Sequence, residues 1–207
     1  MIKVLVADDH AVVRRGVRQI LDEAPDIVAV GQASSGREVL QKVQKHDYDV
    51  LVLDIAMPEG GGLEVLKQLQ SLEPKLSVLI LSMYPEGQYA MRALKAGAAG
   101  YLTKESVPDE LVAAVRKAAQ GEKYITPSLA EKLVAGLGKK LPNEALSDRE
   151  YQVVCMLASG KTITEIAVEL SLSVKTVSTY RVRILTKLNL RNTAEIIRYA
   201  FEHGLID

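Results

Sequence analysis

LVLDIAMPEGGGLEVL, residues 51–66, contains the pattern that decides the fold of the first half of this 207-residue chain. An unbroken aliphatic run, Val50–Leu53, ends on a single acid, Asp54. A proline- and glycine-rich loop follows, and then Leu63, Leu66 and Leu69 recur at helical spacing. A strand with no polar alternation is buried on both faces, which is the habit of parallel sheets covered by helices on either side. Four further aliphatic runs share the pattern: Lys3–Ala7, Ile27–Ala33, Leu76–Leu81 and Ala99–Thr103. Helix-period stretches separate them, marked by Val13, Val17, Ile20 and Leu21; Val39, Leu40 and Val43; Ala90, Met91 and Leu94; and Leu111, Val115 and Ala118. Five strands alternating with five helices restrict residues 1–120 to a few doubly wound α/β folds with a parallel sheet, the flavodoxin-like one among them.

Beyond residue 120 the pattern loosens. Gly121, Pro127, Gly136, Gly138 and Pro142 punctuate a connection over 121–145, within which Ser128–Leu137 has the makings of a short helix. From 146 to 207 no strand signal remains. Ser147 with Glu150 and Thr162 with Glu165 have capping-box spacing. Ser173 and Asn192 suit the starts of two more helices, giving an all-α domain of four short helices. The second and third are separated only by Ser171–Leu172–Ser173, the short turn of a helix-turn-helix.

Composition narrows the function classes. One cysteine, Cys155, and three histidines allow neither a disulfide framework nor a zinc cluster. This fits a reducing, cytoplasmic setting, and no apolar stretch approaches the roughly 18 residues of a membrane span. Net charge is zero: residues 1–124 hold 15 basic and 17 acidic side chains, and residues 147–207 hold 8 and 7. Yet Val174–Leu188 carries Lys175, Arg181, Arg183 and Lys187 with no acid, a local basic stripe on a neutral protein.

In a doubly wound sheet, ligands bind beyond the carboxyl ends of the strands. Asp8 and Asp9 follow the first strand, Asp54 ends the third, Ser82 ends the fourth and Lys104 follows the fifth. Clustered carboxylates repel and call for a cation, and oxygen ligands with room for water suit Mg²⁺. The ion and a lysine would stabilise a phosphoryl group moving onto one carboxylate oxygen. No Walker A loop is present.

VLVADDH (4–10), LVLDIAMPEGGGLEVL (51–66), LILSMY (79–84) and KAGAAGYLTKE (95–105) resemble the receiver domains of two-component response regulators. The resemblance implies that Asp54 is the phosphoacceptor and that Asp9 and Asp54 hold Mg²⁺, with Asp8 and the Ala56 carbonyl contributing. It implies that Ser82 and Lys104 contact the phosphoryl group and that Tyr101 is an aromatic switch. Two departures stand out. Glu105 replaces the proline often found after the lysine, so lysine placement must come from elsewhere. The loop Glu59–Gly62 lacks a polar residue at Gly61 and is expected to be more mobile. LSDREYQVVCMLASGKTITEIAVELSLSVKTVSTYRVRILTKL (146–188) resembles the NarL/FixJ, or LuxR-type, DNA-binding domain.

Together the resemblances imply a phosphorylation-switched transcription factor. Its partners would be a sensor histidine kinase, double-stranded DNA, RNA polymerase and, when phosphorylated, a second copy of the chain. It would be no enzyme apart from its own aspartyl phosphorylation and dephosphorylation. The rival class is a Mg²⁺-dependent phosphatase or phosphotransferase, which would release phosphate catalytically. A vestigial receiver on a constitutive scaffold is disfavoured by the intact acidic set. On the recognition helix, Val174, Val177, Ile184 and Leu188 fall on one face and are expected to pack on the preceding helices. Lys175, Thr179, Val182, Arg183 and Thr186 fall on the other, with Ser178 at its edge and Thr176 beside it. Ser178, Thr179 and Val182 are expected at base edges. Lys175, Arg183 and Lys187 are expected at phosphates, and Arg181 near the apolar face.

Overall fold

The computed structural model describes residues 1–58, 61–73, 75–136 and 145–205. The chain divides into two compact units, Met1–Glu131 and Lys132–Asp207. In the first, β1 (Ile2–Ala7), β2 (Ile27–Ala33), β3 (Val50–Asp54), β4 (Ser77–Ser82) and β5 (Gly100–Thr103) alternate with helices. These are α1 (Ala11–Asp22), α2 (Gly36–Val43), α3 (Gly62–Leu72), α4 (Glu86–Lys95) and α5 (Val107–Ala119). All pairings are parallel and the strand order is β2-β1-β3-β4-β5. The chain winds outward from β1 to β2, then reverses past β1 to β3. The loops after β1 and β3 therefore diverge, and the crevice between them is where such sheets bind ligands.

The strands are apolar throughout because both faces are covered. Val4, Val6, Val50, Val52, Leu79 and Leu81 meet Val17 and Leu21 of α1 and Leu111, Ala114, Val115 and Ala118 of α5. The alternate residues Leu5, Leu51, Leu53 and Ile80 point to the opposite face and are fully buried as well. Burying a Val or Leu side chain stabilises by about 1.5–3 kcal/mol. Val50–Leu53 thus anchor β3 by an upper limit of about 6–12 kcal/mol. That exceeds what ionising the buried acid at the strand's tip takes away.

The first unit runs past residue 120. The Tyr124 N–H donates to the Ala99 carbonyl (2.7 Å), and Tyr124 forms an isolated parallel bridge with Gly100. A Cβ at Gly100 would lie 2.8 Å from the Tyr124 oxygen, so only glycine lets the connection lie flat on β5. Thr126 then caps α6 (Pro127–Gly136), accepting from the Leu129 N–H (3.2 Å), and Leu129 is fully buried. Glu59 and Gly60 of the glycine-rich loop, and residues 137–144 of the connection, lie outside the described residues.

From residue 145 on, the described part of the second unit holds α7 (Asp148–Ala158), α8 (Ile163–Glu169), α9 (Val174–Leu188) and α10 (Thr193–Glu202). Each start is capped as the spacing predicts. Ser147, Thr162, Ser173 and Asn192 each accept from the N–H three residues on, and Glu150 and Glu165 reach back to complete two boxes. Val153, Val154, Ile166, Val177, Ile184, Ile196 and Ala200 form the core. Ser171 turns the chain in the left-handed region at φ 52°, and buried Leu170 holds the turn to the core.

One expectation for α9 is corrected. Val174 is 49% exposed rather than packed, because it opens the helix one turn above its first core residue, Val177. The Lys187 ammonium lies 2.7 Å from the Glu150 carboxylate and ties α9 to the start of α7. Among the described residues no helix is long and apolar enough to cross a membrane.

Candidate functional site

The carboxyl ends of β1, β3, β4 and β5 bring Asp8, Asp54, Ser82 and Lys104 together. Asp8, Asp54 and Ser82 are buried. The Lys104 ammonium lies 2.6 Å from Asp8 Oδ2 and 3.2 Å from Asp54 Oδ2, bridging the two carboxylates. With Glu105 after it, the lysine is placed by its own backbone, whose N–H donates to the Ser82 carbonyl (2.8 Å) and extends the β4–β5 ladder. Asp9 is more open, and its Oδ1 lies 2.7 Å from His10 Nδ1.

Three residues around this set were not singled out in the sequence. The His10 N–H donates to Asp8 Oδ1 (2.8 Å) as His10 caps α1. Arg14, one turn into α1, donates to the Asp8 and Asp9 carbonyls (2.6 and 3.1 Å) and fixes the loop that carries both acids. Gly62 opens α3, donating to the Ile55 carbonyl (2.9 Å). A Cβ there would lie 2.2 Å from the Asp54 carbonyl oxygen, so any side chain would push β3's end away. DDH and GGG hinted at these positions, but a cap, a loop clamp and a close approach have no periodicity to reveal them.

Burial pushes the Asp54 carboxyl up to about 6; Lys104 opposes this, Asp8 adds to it, and the Lys104 and Ala56 hydrogen bonds oppose it. Burial would lower the pKa of Lys104, but Asp54 and Asp8 outweigh it and hold the ammonium charged. One ammonium therefore serves two buried carboxylates, with Asp9 beside them. Asp8 Oδ2 faces the Lys104 ammonium and the buried Asp9 Oδ1 faces the His10 ring nitrogen. Ligand atoms of Asp8, Asp9 and His10 lie within 4.8 Å of one another. Clustered, negatively charged oxygens fit a hard divalent cation such as Mg²⁺.

Ser82 Oγ accepts from the Tyr84 N–H (3.1 Å), and the Tyr101 hydroxyl, on a fully buried ring, donates to the Tyr84 carbonyl (2.7 Å). Both residues singled out beside the acids thus grip one residue of the β4–α4 loop.

In the second unit, α9 presents Lys175, Thr179, Val182, Arg183 and Thr186 exposed, with Val182 57% open. The Thr179 and Thr186 hydroxyls donate back to the Lys175 and Val182 carbonyls (2.9 and 3.1 Å), leaving them acceptors toward anything outside. Thr176 shares its hydroxyl with Ser173 (2.7 Å) in the helix cap, and Ser178 is half-buried. Arg181 Nε donates to Thr193 Oγ1 (2.7 Å), linking α9 to α10.

Comparison with known proteins assigns both units. Residues 4–116 match the response regulator receiver domain, and residues 144–200 match the bacterial regulatory proteins of the luxR family. The response regulator UvrY of Escherichia coli K12 is 35% identical over 209 residues, covering 99% of this chain and 96% of that protein. The response regulator GacA of Pseudomonas aeruginosa is 37% identical over 211 residues, covering 100% and 99%.

The chain is a response regulator.

The regulator's fold has solved counterparts. RcsB from Salmonella enterica serovar Typhimurium, bound to promoter rprA in the presence of phosphomimetic BeF3-, superposes with a TM-score of 0.66 at 29% identity. The match covers 96% of this chain and 97% of that one. The response regulator ChrA of a heme-sensing two-component system gives 0.54 at 35% identity, covering 99% and 98%. The response regulator thus joins a receiver to a LuxR-type DNA-binding domain, the order of the transcription regulators of the NarL/FixJ family.

The acidic pocket makes the regulator's stability depend on pH in a defined direction. Asp54 is protonated more readily folded than unfolded, so its neutral form favours the fold. That contribution is full below about 3.8 and is lost as pH rises through about 6. Asp54→Asn, which cannot ionise, is expected to melt above the wild type at pH 7.5 in EDTA. The gap should close as pH falls toward about 4. A gap that widens on acidification would reverse the assignment.

Proposed function

We propose that this regulator accepts a phosphoryl group from a partner sensor histidine kinase on Asp54, and that the modification switches dimerisation and sequence-specific DNA binding. The observation that supports it most directly is Lys104, held between two buried carboxylates at the ends of β1 and β3 with Ser82 alongside. An Asp54 oxygen attacks phosphorus, the phosphorus–nitrogen bond to the kinase imidazole breaks, and the imidazole leaves. Asp54 must be ionised to act, which holds above about pH 6. Lys104 then follows the charge from the carboxylate to a phosphoryl oxygen, and the Ser82 hydroxyl donates to another. Asp8, Asp9 and Asp54, with the Ala56 carbonyl, are the residues that would hold Mg²⁺. When bound, the ion neutralises charge on the phosphoryl oxygens. The regulator catalyses this transfer and the later hydrolysis itself, acts in the cytoplasm, and works with RNA polymerase at its promoters.

Phosphorylation favouring a dimer doubles the DNA contact and matches a two-fold operator. RcsB supports this, being solved as two dimers bound to two parallel DNAs. Helix α9 enters the major groove. Lys175 and Arg183 meet phosphates, and Val182 offers apolar contact to a thymine methyl. Thr179, its proton already used on Lys175, accepts from a base amino group, cytosine N4 or adenine N6. Ser178 and Thr176 line the edge of that face, and Lys187 stays with Glu150.

With a small phosphodonor and Mg²⁺, intact mass is expected to show one acid-labile phosphoryl group on the wild type and none on Asp54→Asn. Equal labelling of both would remove the site from Asp54, and continuous phosphate release would favour a phosphatase.

On operator DNA, Lys175→Ala and Arg183→Ala are each expected to weaken binding to all sequences and to lower the salt slope by about 1 per lost phosphate contact. Lys187→Ala is expected to leave the slope unchanged. Thr179→Ala should alter preference at one adenine or cytosine per half-site by roughly 1–3 kcal/mol. If Arg181→Ala shifted base preference and Thr179→Ala did not, α9 would be rotated in the groove.

A further inference from the structure

We propose that Glu86 and Thr126 form a latch that holds the start of α6 on the receiver, and that phosphorylation of Asp54 opens it, lengthening the chain between the two units. The opening step rests on the function proposed above; the latch itself does not.

Glu86 is the first residue of α4, and Thr126 is the cap of α6. The Thr126 hydroxyl donates to the Glu86 carboxylate, 2.8 and 3.0 Å from its two oxygens, while the same oxygen accepts from the Leu129 N–H. One hydroxyl thus joins two helix starts. The carboxylate sits where the positive end of α4 favours it. Leu129, fully buried, seats the first turn behind the latch.

Three residues, Met83–Pro85, separate Glu86 from Ser82, and the middle one is gripped from both sides. Tyr84 donates its N–H to Ser82 Oγ and accepts at its carbonyl from the Tyr101 hydroxyl. A phosphoryl group offers only acceptors, so Ser82 must turn its hydroxyl toward Asp54 to donate. Asp54 lies one strand away, paired in register with Leu81. Rotation of the hydroxyl alone leaves Ser82 Oγ free to accept from Tyr84. It is the displacement of Oγ toward the phosphoryl group on β3 that draws the acceptor away from the Tyr84 N–H, and Glu86 is two residues further on. A hydrogen bond of this length fails beyond about 3.5 Å, so a shift of about 1 Å at Glu86 releases Thr126.

The connection has a second tie that this path does not reach. The Tyr124 N–H donates to the Ala99 carbonyl and Lys123 donates to that of Ala98, both at 2.7 Å. Opening the latch therefore frees chain from Ile125 onward and leaves Tyr124 in place. At ~3.3 Å per residue, Ile125–Glu131 adds roughly 20 Å of contour per protomer. Half-sites on DNA lie about 34 Å apart, so this is a substantial part of the span a dimer must cover.

Hydrogen exchange followed by mass spectrometry on the full chain tests the latch, with acetyl phosphate and Mg²⁺ added and intact mass read in parallel. Labelled wild type is expected to exchange at least tenfold faster at Leu129–Glu131, with Tyr124 unchanged. Glu86→Ala, which removes the latch acceptor while leaving Thr126 Oγ1 to cap the Leu129 N–H, should show the faster exchange without phosphodonor, and Glu86→Gln, which keeps an acceptor oxygen, should restore protection. Unchanged exchange in Glu86→Ala would overturn the latch. Labelled Asp54 with Leu129–Glu131 still protected would overturn the coupling while leaving the phosphoacceptor intact. Absence of label would overturn both the site assignment and the trigger.

Discussion

A single ammonium between two buried carboxylates sets the chemistry of the receiver. Lys104 reaches Asp8 at 2.6 Å and Asp54 at 3.2 Å, and both carboxylates are buried. One positive charge cannot neutralise this set, and the deficit is visible twice. Asp54 is held near 6, and the Lys104 ammonium is shared between Asp8 and Asp54 while Asp9 stands beside them. The under-compensation suits a site that takes a cation and then a phosphoryl group. A fully satisfied cluster would have nothing to gain from either. The apolar burial of β3 and its neighbours holds the carboxylates in a place they would otherwise leave.

Much of this was legible because it is periodic or punctual. Unbroken aliphatic runs gave five parallel strands, and each acid, hydroxyl or ammonium stood at a run's end, where the topology converges. Serine, threonine and asparagine caps marked all four helices of the DNA-binding unit. What escaped the sequence depends on distances that no local pattern encodes. Arg14 clamps two carbonyls from one turn into a helix, and Gly62 is glycine because the Asp54 backbone passes 2.2 Å from where a Cβ would stand. The basic stripe of α9 was read by charge alone. Charge alone does not show that Lys187 meets Glu150, which lies 37 residues away and is one half of a capping box. Val174 departs from its expected packing because a helix's first residue lacks the flanking turn that would cover it.

Around the receiver's acidic set, one ammonium serves two buried carboxylates. In the DNA-binding unit the caps and the Lys187–Glu150 and Arg181–Thr193 pairs are satisfied, which fixes the angle of α9. On the outward face of that helix, Lys175 and Arg183 are exposed. Within the receiver, the Tyr84 N–H and carbonyl are each held by one residue, Ser82 and Tyr101.

The central claim is that the pocket is short of positive charge. Carbon-13 NMR titration of the Asp54 side-chain carboxyl in the full chain, with and without Mg²⁺, tests it directly. The account predicts a midpoint near 6 in EDTA, moving down as Mg²⁺ is added. A midpoint at the ordinary aspartate value, about 3.9, and indifferent to Mg²⁺ would contradict it.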